Sequence, residues 1–349
     1  MLSKRQRIIL KEIIVNYAVS GHAVGSKYLQ SASGLDVSSA TIRNEMAELE
    51  GLGLIEKTHL SSGRIPSLDG FHYYFENILR PVDVSKELRA KIKAFMQQAE
   101  SKQIDDMIKE STELLSKMTD YMSVSFSPEA SSSKIEDFQI MVLQNQKVIL
   151  LATDNFGRIA EQIVFLDAKI LGLFTAIAKR LEANLVGKTI KEAKDCLLEF
   201  ETEDEDQSII ELLKVYVDRI LDDLARDHYY IEGEYNLLNY VHDESPDTIK
   251  QIITFVNSNS DDFMKLIKKI GLSSGSNTRI QFVPHLMNAD FDDFILISAP
   301  FDTKYLQSGM LAVLGPQMMP YSKMLAIVDT FRDELQERIN SIEDMDKEV

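Results

Sequence analysis

The sequence contains one cysteine, Cys196, in 349 residues. That excludes a disulfide framework and a Cys-rich zinc site, and it fits a reducing cytoplasm. The thiol reads as a small buried hydrophobe. Equally absent is any run of about 18 apolar residues of the kind a membrane span requires. The richest stretch, Met310 to Val328, is broken by Pro316, Pro320 and Lys323. Lys11 and Glu12 interrupt the apolar residues that follow Lys4, Arg5 and Arg7, so no signal peptide is read and a cytoplasmic location is expected.

Positive charge is also scarce, with 38 Lys and Arg against 55 Asp and Glu and a formal net charge of −17. Taken whole, that balance argues against a nucleic-acid binder. The distribution reverses the inference, because residues 1–80 carry nine Lys and Arg against eight Asp and Glu, leaving the acidic excess to the rest. An acidic body should repel DNA and leave the N-terminal face as the docking surface, with a steep salt dependence.

The spacings that catalysis and metal binding require are missing as well. Gly271-Leu272-Ser273-Ser274-Gly275 has the letters of a nucleophile elbow, but that motif needs a strand before the serine. Here the preceding segment reads as helix, with Gly271 as its C-cap. Gly187-Lys188-Thr189 resembles the end of a P-loop, yet Glu182 stands where its first glycine belongs. Asp290, Asp292 and Asp293 lack the glycine and distal glutamate of a calcium loop. The acidic run Glu199 to Asp206 reads as a solvated loop. The six histidines, His228 included, show no ligand spacing. Neither an enzyme nor a cofactor or metal site is expected.

What is present centres on Val37 to Pro66. Ser38 is a good N-cap, and Gly51 and Gly53 mark a helix end. Ile42, Met46 and Leu49 form one apolar stripe. Ala40, Thr41, Arg43 and Asn44 then point the other way. Arg can take guanine O6 and N7 together, Asn can take adenine N6 and N7, and Ala or the Thr methyl can touch a thymine methyl. Alone, such a helix is only amphipathic with a solvated face. Its neighbours decide the matter. Val24 to Ser33 reads as a second short helix, joined through Gly34 and Asp36, which is helix-turn-helix spacing. Leu54 to Lys57 and Arg64 to Pro66 read as strands around the loop His59 to Gly63. That makes a wing, with Lys57 and Arg64 flanking a tip of His59, Ser61 and Ser62 where phosphates or a minor groove would be met.

Along the rest of the chain, Ser3 to Val19 is an amphipathic helix with its stripe at Leu10, Ile13, Ile14 and Tyr17. Ser67 to Leu79 is a helix whose Phe71, Tyr73, Tyr74 and Phe75 suit packing better than base stacking. Arg80-Pro81-Val82 breaks the pattern, and Lys86 to Thr119 reads as one long helical stretch. Phe138 to Leu143, Lys147 to Thr153 and Gln162 to Leu166 read as strands, the first two joined by Gln144-Asn145-Gln146. Ala168 to Leu185 and Ile209 to Arg226 read as helices. A strand and turn are expected at Tyr229 to Leu238, with helices around Pro246 to Val256 and Asp261 to Ile270. Strands return at Thr278 to Val283, Phe294 to Ala299 and Gly309 to Leu314 before a striped final helix from Met324 to Ile342. Strands on both sides of a helical insert suggest one sheet domain interrupted by another.

These residues together resemble the HrcA family of heat-inducible transcription repressors. The likeness is most specific at Val24-Gly25-Ser26-Lys27, Ser39-Ala40-Thr41-Ile42-Arg43-Asn44-Glu45-Met46, Leu49-Glu50, Gly53-Leu54 and Ser62-Gly63-Arg64-Ile65-Pro66. It continues at Ala299-Pro300, Leu314-Gly315-Pro316 and Tyr321-Ser322. Gln317-Met318 departs from the more basic pair usual there, and Ile280-Gln281-Phe282 from a glycine-containing turn. The resemblance implies an α+β multidomain chain with a winged helix-turn-helix at 1–80 and a helical linker at 81–125. A GAF-like α/β sheet domain would occupy 126–167 and 227–349, interrupted by an inserted α+β dimerisation domain at 168–226. It adds Ser26, Lys27 and Ser39 to the DNA-binding candidates. It also implies a homodimer on an inverted-repeat operator (CIRCE) upstream of groE- and dnaK-type chaperone operons, kept active by the GroE chaperonin. Two alternatives stay open: a small effector bound to the GAF-like domain, and a protein-interaction module that binds no DNA.

Overall fold

In the computed structural model the described residues are 2–58, 63–80, 82, 84–98, 103–127, 133–201, 207–226, 228–240, 261–272, 277–283, 294–302 and 309–345. Helix α1, Lys4–Ser20, starts at a capping box made by Ser3 and Gln6 and stops at Gly21, which takes the left-handed conformation. α2, Ser26–Ala32, and α3, Ser39–Gly51, follow. The residues before α2 are extended rather than helical, because Val24 bridges Arg64 through two backbone hydrogen bonds of 2.8 and 3.0 Å. This adds a third short edge to the wing strands β1, Ile55–Lys57, and β2, Arg64–Pro66.

α4, Leu68–Asn77, is capped by Ser67, whose hydroxyl accepts from Gly70 N and donates to Gly53 O at 2.5 Å. Gly70 is required here, since a Cβ would lie 2.0 Å from the Leu54 carbonyl oxygen. The aromatic residues of α4 pack as expected of a core. Phe71 and Tyr74 are buried, and rings of Tyr17, Phe75, Phe282 and Tyr321 surround Phe71 at centroid distances of 5.9 to 6.3 Å. The winged helix is therefore seated on the body by an aromatic cluster. Burial pushes the Tyr74 phenol up to about 12, so it stays neutral in this interface.

The stretch expected to be one long linker helix is two helices, α5, Lys86–Gln98, and α6, Ile104–Thr119. Ile92, Ile108 and Leu115 are fully buried in the same core as the final helix, so these helices are body rather than linker. The strands of the body are β3, Met122–Phe126, β7, Tyr229–Glu232, β8, Arg279–Phe282, β9, Phe294–Phe301, and β10, Gly309–Pro316. They form an antiparallel sheet in the order β7-β3-β10-β9-β8. All residues of β9 and β10 are buried, because both faces are covered. Ile295, Ile297 and Val313 face α5, α6 and the C-terminal helix α11, Tyr321–Met345. Leu296, Ala312 and Leu314 face the other side, with Leu237 of a 3-10 turn and Met264 and Ile267 of α10, Asp261–Leu272. Gly271 lies within the last turn of α10 rather than capping it, where a Cβ would meet the Met310 sulfur at 2.0 Å.

Between β3 and β7 the chain builds a separate unit. Among the described residues, β4, Ile135–Val142, β5, Lys147–Asp154, and β6, Ile159–Phe165, pair only with one another, in the order β4-β5-β6. The sequence reading grouped these strands with the GAF-like sheet; their hydrogen bonds and core separate them from it. One face of this sheet covers α7, Ala168–Leu185, and α9, Gln207–Ala225, with α8, Ile190–Glu199, completing the layer. α8 was not expected from the sequence. The insert thus begins near residue 133 rather than 168, because strand pairing rather than local pattern defines it.

The two crossings between body and insert run side by side, Ser127 N donating to His228 O at 2.9 Å. Asp105 at the start of α6 holds both, accepting from the Ser127 hydroxyl and from Tyr230 OH at 2.7 Å, with His228 Nδ1 at 3.3 Å. Burial would raise the Asp105 carboxyl, but the hydrogen bonds from His228, Ser127 and Tyr230 outweigh it and hold the group below its ordinary value. The helix expected around Pro246 to Val256, most of the acidic run before Gln207, and Ser273, Ser274, Asp290, Asp292 and Asp293 lie outside the described residues.

Candidate nucleic-acid interface

α3 is built to stand proud of its own core. Ile42, Met46 and Leu49 are buried against α1, while Ser38 caps the N-terminus by accepting from Thr41 N at 3.1 Å. Ala40, Arg43 and Asn44 are exposed, and so is Ala47. These four follow the i, i+3, i+4, i+7 spacing of one helix face. Ala47 was missed in the sequence reading although the same period reaches it. With Ala40 it leaves the helix slim enough for its backbone to approach a groove, and the positive end of the helix dipole lies at the same end as Ala40.

The acidic residues of α3 are turned to other work. Glu45 pairs with Arg5 of α1 at 2.9 Å, Glu48 accepts from Gln6 at 2.7 Å, and Glu50 pairs with Arg64 at 2.6 Å. Three carboxylates that would oppose phosphate are each matched within the domain. Arg64, placed by the sequence reading beside the wing tip, is engaged within the domain: two of its guanidinium nitrogens reach the same Glu50 oxygen, at 2.9 and 2.6 Å, and its side chain is mostly buried. It fastens the wing to the end of α3.

Ser26 and Ser39 are joined to each other, hydroxyl to hydroxyl, at 3.0 Å, which fixes the angle between α2 and α3. The Thr41 hydroxyl lies 3.0 Å from that of Ser38. Lys27 on α2 and Lys57 on β1 are exposed, as is Arg43, whose Nε donates to Ser39 O at 3.4 Å. None of these three has an ion-pair partner among the described residues. Exposed Tyr28 beside Lys27 is a further surface group that the sequence reading passed over. His59, Ser61 and Ser62, expected at the wing tip, lie outside the described residues. Among the described residues no group of three His, Cys, Asp or Glu could hold a metal, and no helix is long and apolar enough to cross a membrane.

Comparison with known proteins matches both parts of the chain. Residues 1–73 match the family described as "Winged helix-turn-helix transcription repressor, HrcA DNA-binding", and residues 105–325 match "HrcA protein C terminal domain". The chain is 34% identical to the "Heat-inducible transcription repressor HrcA" of Ligilactobacillus salivarius, covering 97% of each chain. To the protein of the same name from Lactobacillus delbrueckii subsp. bulgaricus it is also 34% identical, over 97% of this chain and 98% of that one. Among solved structures, one titled "Crystal structure of a hypothetical protein at 2.2 A resolution" has the same fold, with a TM-score of 0.59 at 20% identity and 98% coverage of both chains. The chain therefore belongs to the HrcA family of heat-inducible transcription repressors, and is a regulator with a DNA-binding winged helix rather than an enzyme.

Proposed function

We propose that this chain, as a homodimer, represses groE- and dnaK-type chaperone operons by binding an inverted-repeat operator (CIRCE), and that the GroE chaperonin maintains its active fold. The exposed face of α3, with Ala40, Arg43, Asn44 and Ala47 free of the acidic residues around it, carries the reading. Arg43 and Asn44 read base edges; Lys27 and Lys57 contact phosphates. Ser26, Ser39 and Thr41 set the geometry of the turn, and His59, Ser61 and Ser62 stay assigned to the wing tip. In the body, the five-stranded sheet with its flanking helices corresponds to the GAF-like domain of this reading, and the β4 to α9 unit to the dimerisation domain.

An inverted repeat asks for a two-fold symmetric protein. The outer face of the β4-β5-β6 sheet supplies a surface suited to that. Met141, Ile149 and Ile163 make one cross-strand row, and Ile159 and Phe165 extend the apolar face at 61% and 74% exposure. Contiguous apolar area of this sort marks an interface. Phe165→Asp is expected to turn the dimer into a monomer in sedimentation velocity without loss of helicity; a dimer unchanged by it would place the interface elsewhere. A chaperonin link has the same physical root. A chain that exposes such a face before assembly depends on refolding capacity, and when heat-damaged clients occupy the chaperonin the unfolded fraction rises and the operator is freed.

Fluorescence anisotropy on the inverted-repeat duplex and a shuffled duplex, across a salt series with and without chaperonin, tests the reading. A preference for the repeat that chaperonin strengthens is expected. Equal binding of both duplexes by folded protein would refute operator recognition.

A further inference from the structure

Between α4 and β8 lies a cleft of about 700 Å³, within the size range of small-ligand sites. One wall belongs to the winged helix, through His72, Phe75 and Arg80; the other belongs to the body, through Arg279 and Phe282 of β8 and Leu325 of α11. β8 is an edge strand, paired only with β9, so no further strand closes the cleft among the described residues. Its apolar part is organised by Phe282, whose ring centroid is 4.9 Å from that of His72 and 5.9 Å from that of Phe75.

The charge of this cleft runs against that of the molecule. In a chain of net charge −17, the described residues lining it include two arginines and a histidine against one carboxylate, Glu76. Arg80 and Arg279 are both exposed, and neither forms an ion pair among the described residues; Arg80 reaches only the neighbouring Leu79 carbonyl, at 2.7 Å. Two cations lining one partly enclosed space repel each other, and an anion between them removes that repulsion. A guanidinium matches a carboxylate by two parallel hydrogen bonds. The apolar remainder would stay wet beneath a bare anion and is covered by a ligand with a hydrocarbon body.

We propose that this cleft binds an amphipathic carboxylate, its head held by Arg80 and Arg279 and its alkyl body laid over Phe75, Phe282 and Leu325. Because the walls come from the winged helix and the body, the ligand is a clamp across their junction, and occupancy raises the melting temperature.

Titration calorimetry on the full chain tests this with decanoate kept below its micelle concentration, 1-decanol and inorganic phosphate as probes. Decanoate is expected to bind saturably and at least tenfold more tightly than either other probe. Arg80→Ala and Arg279→Ala, both at exposed positions, should each weaken decanoate tenfold or more, while Leu198→Ser, at an exposed position on α8 of the insert, leaves its affinity unchanged. Absence of saturation, or affinity indifferent to both arginine substitutions, would overturn the proposal. So would decanol binding as tightly as decanoate, which would mean an apolar slot alone, or phosphate doing so, which would mean a bare anion site. Loss of binding in Leu198→Ser would place the alkyl chain on the insert and overturn it equally.

Discussion

Arg43→Ala should lower affinity for the inverted-repeat duplex roughly 10- to 100-fold while leaving affinity for random duplex within about twofold. The expected size follows from a bidentate base contact, worth about 1–3 kcal/mol of discrimination, since each 1.4 kcal/mol is about tenfold. Arg43 is suited to that contact because it stands exposed between Ala40 and Ala47 on the free face of α3, and because Glu45, Glu48 and Glu50 are occupied by Arg5, Gln6 and Arg64. Its loss should therefore not unfold the domain, whose core lies on the opposite stripe. Lys57→Ala is the matched control. An exposed wing lysine on a phosphate carries no sequence information, so it should weaken both duplexes alike and reduce the salt slope by roughly 0.9. Equal losses on both duplexes for Arg43→Ala, measured by anisotropy at fixed salt, would remove it from base reading.

Asp154→Ala should destabilise the insert by about 3–5 kcal/mol, the usual consequence of stripping one partner from a buried ion pair. Asp154 is fully buried and serves four donors. Its Oδ1 accepts from Phe156 N at 3.0 Å and Arg158 N at 2.9 Å; its Oδ2 accepts from the Ser133 hydroxyl and from Arg158 Nε, both at 2.7 Å. The Arg158 guanidinium lies over the Phe156 ring at 4.7 Å, and its two terminal nitrogens have no hydrogen-bond partner among the described residues. Without the carboxylate, the buried guanidinium loses the only ion-pair partner it has among the described residues. Urea unfolding followed by circular dichroism measures the loss, and Asp154→Ala with Arg158→Met should recover part of it, because a neutral pair leaves no stranded cation. A double variant as unstable as the single one would show that the turn, not the charge, was at stake. The position is informative because the Asp154–Arg158 turn lies where the insert meets the body: a Cβ on Gly157 would touch the Gln103 side chain at 2.7 Å.

The sequence by itself determined the local elements and their inward faces. Ser3, Ser38 and Ser67 mark the starts of α1, α3 and α4 because an N-cap acts through its own backbone amides and needs no distant partner. The stripe of Ile42, Met46 and Leu49 is likewise set by helical period alone, and with it the opposite face bearing Ala40, Arg43 and Asn44. What tertiary structure decided were the pairings between elements distant in sequence. β4, β5 and β6 look locally like any half-buried strands, so their membership of the insert rather than the body was settled only by which edges hydrogen-bond. α5 and α6 read as a connecting helix until α11, over two hundred residues on, covers their apolar sides. Arg64 carries the residue type and position of a phosphate contact, yet Glu50 lies within 2.6 Å of it, and a charge pair of that kind is fixed by folded distance, to which neither local spacing nor composition gives access.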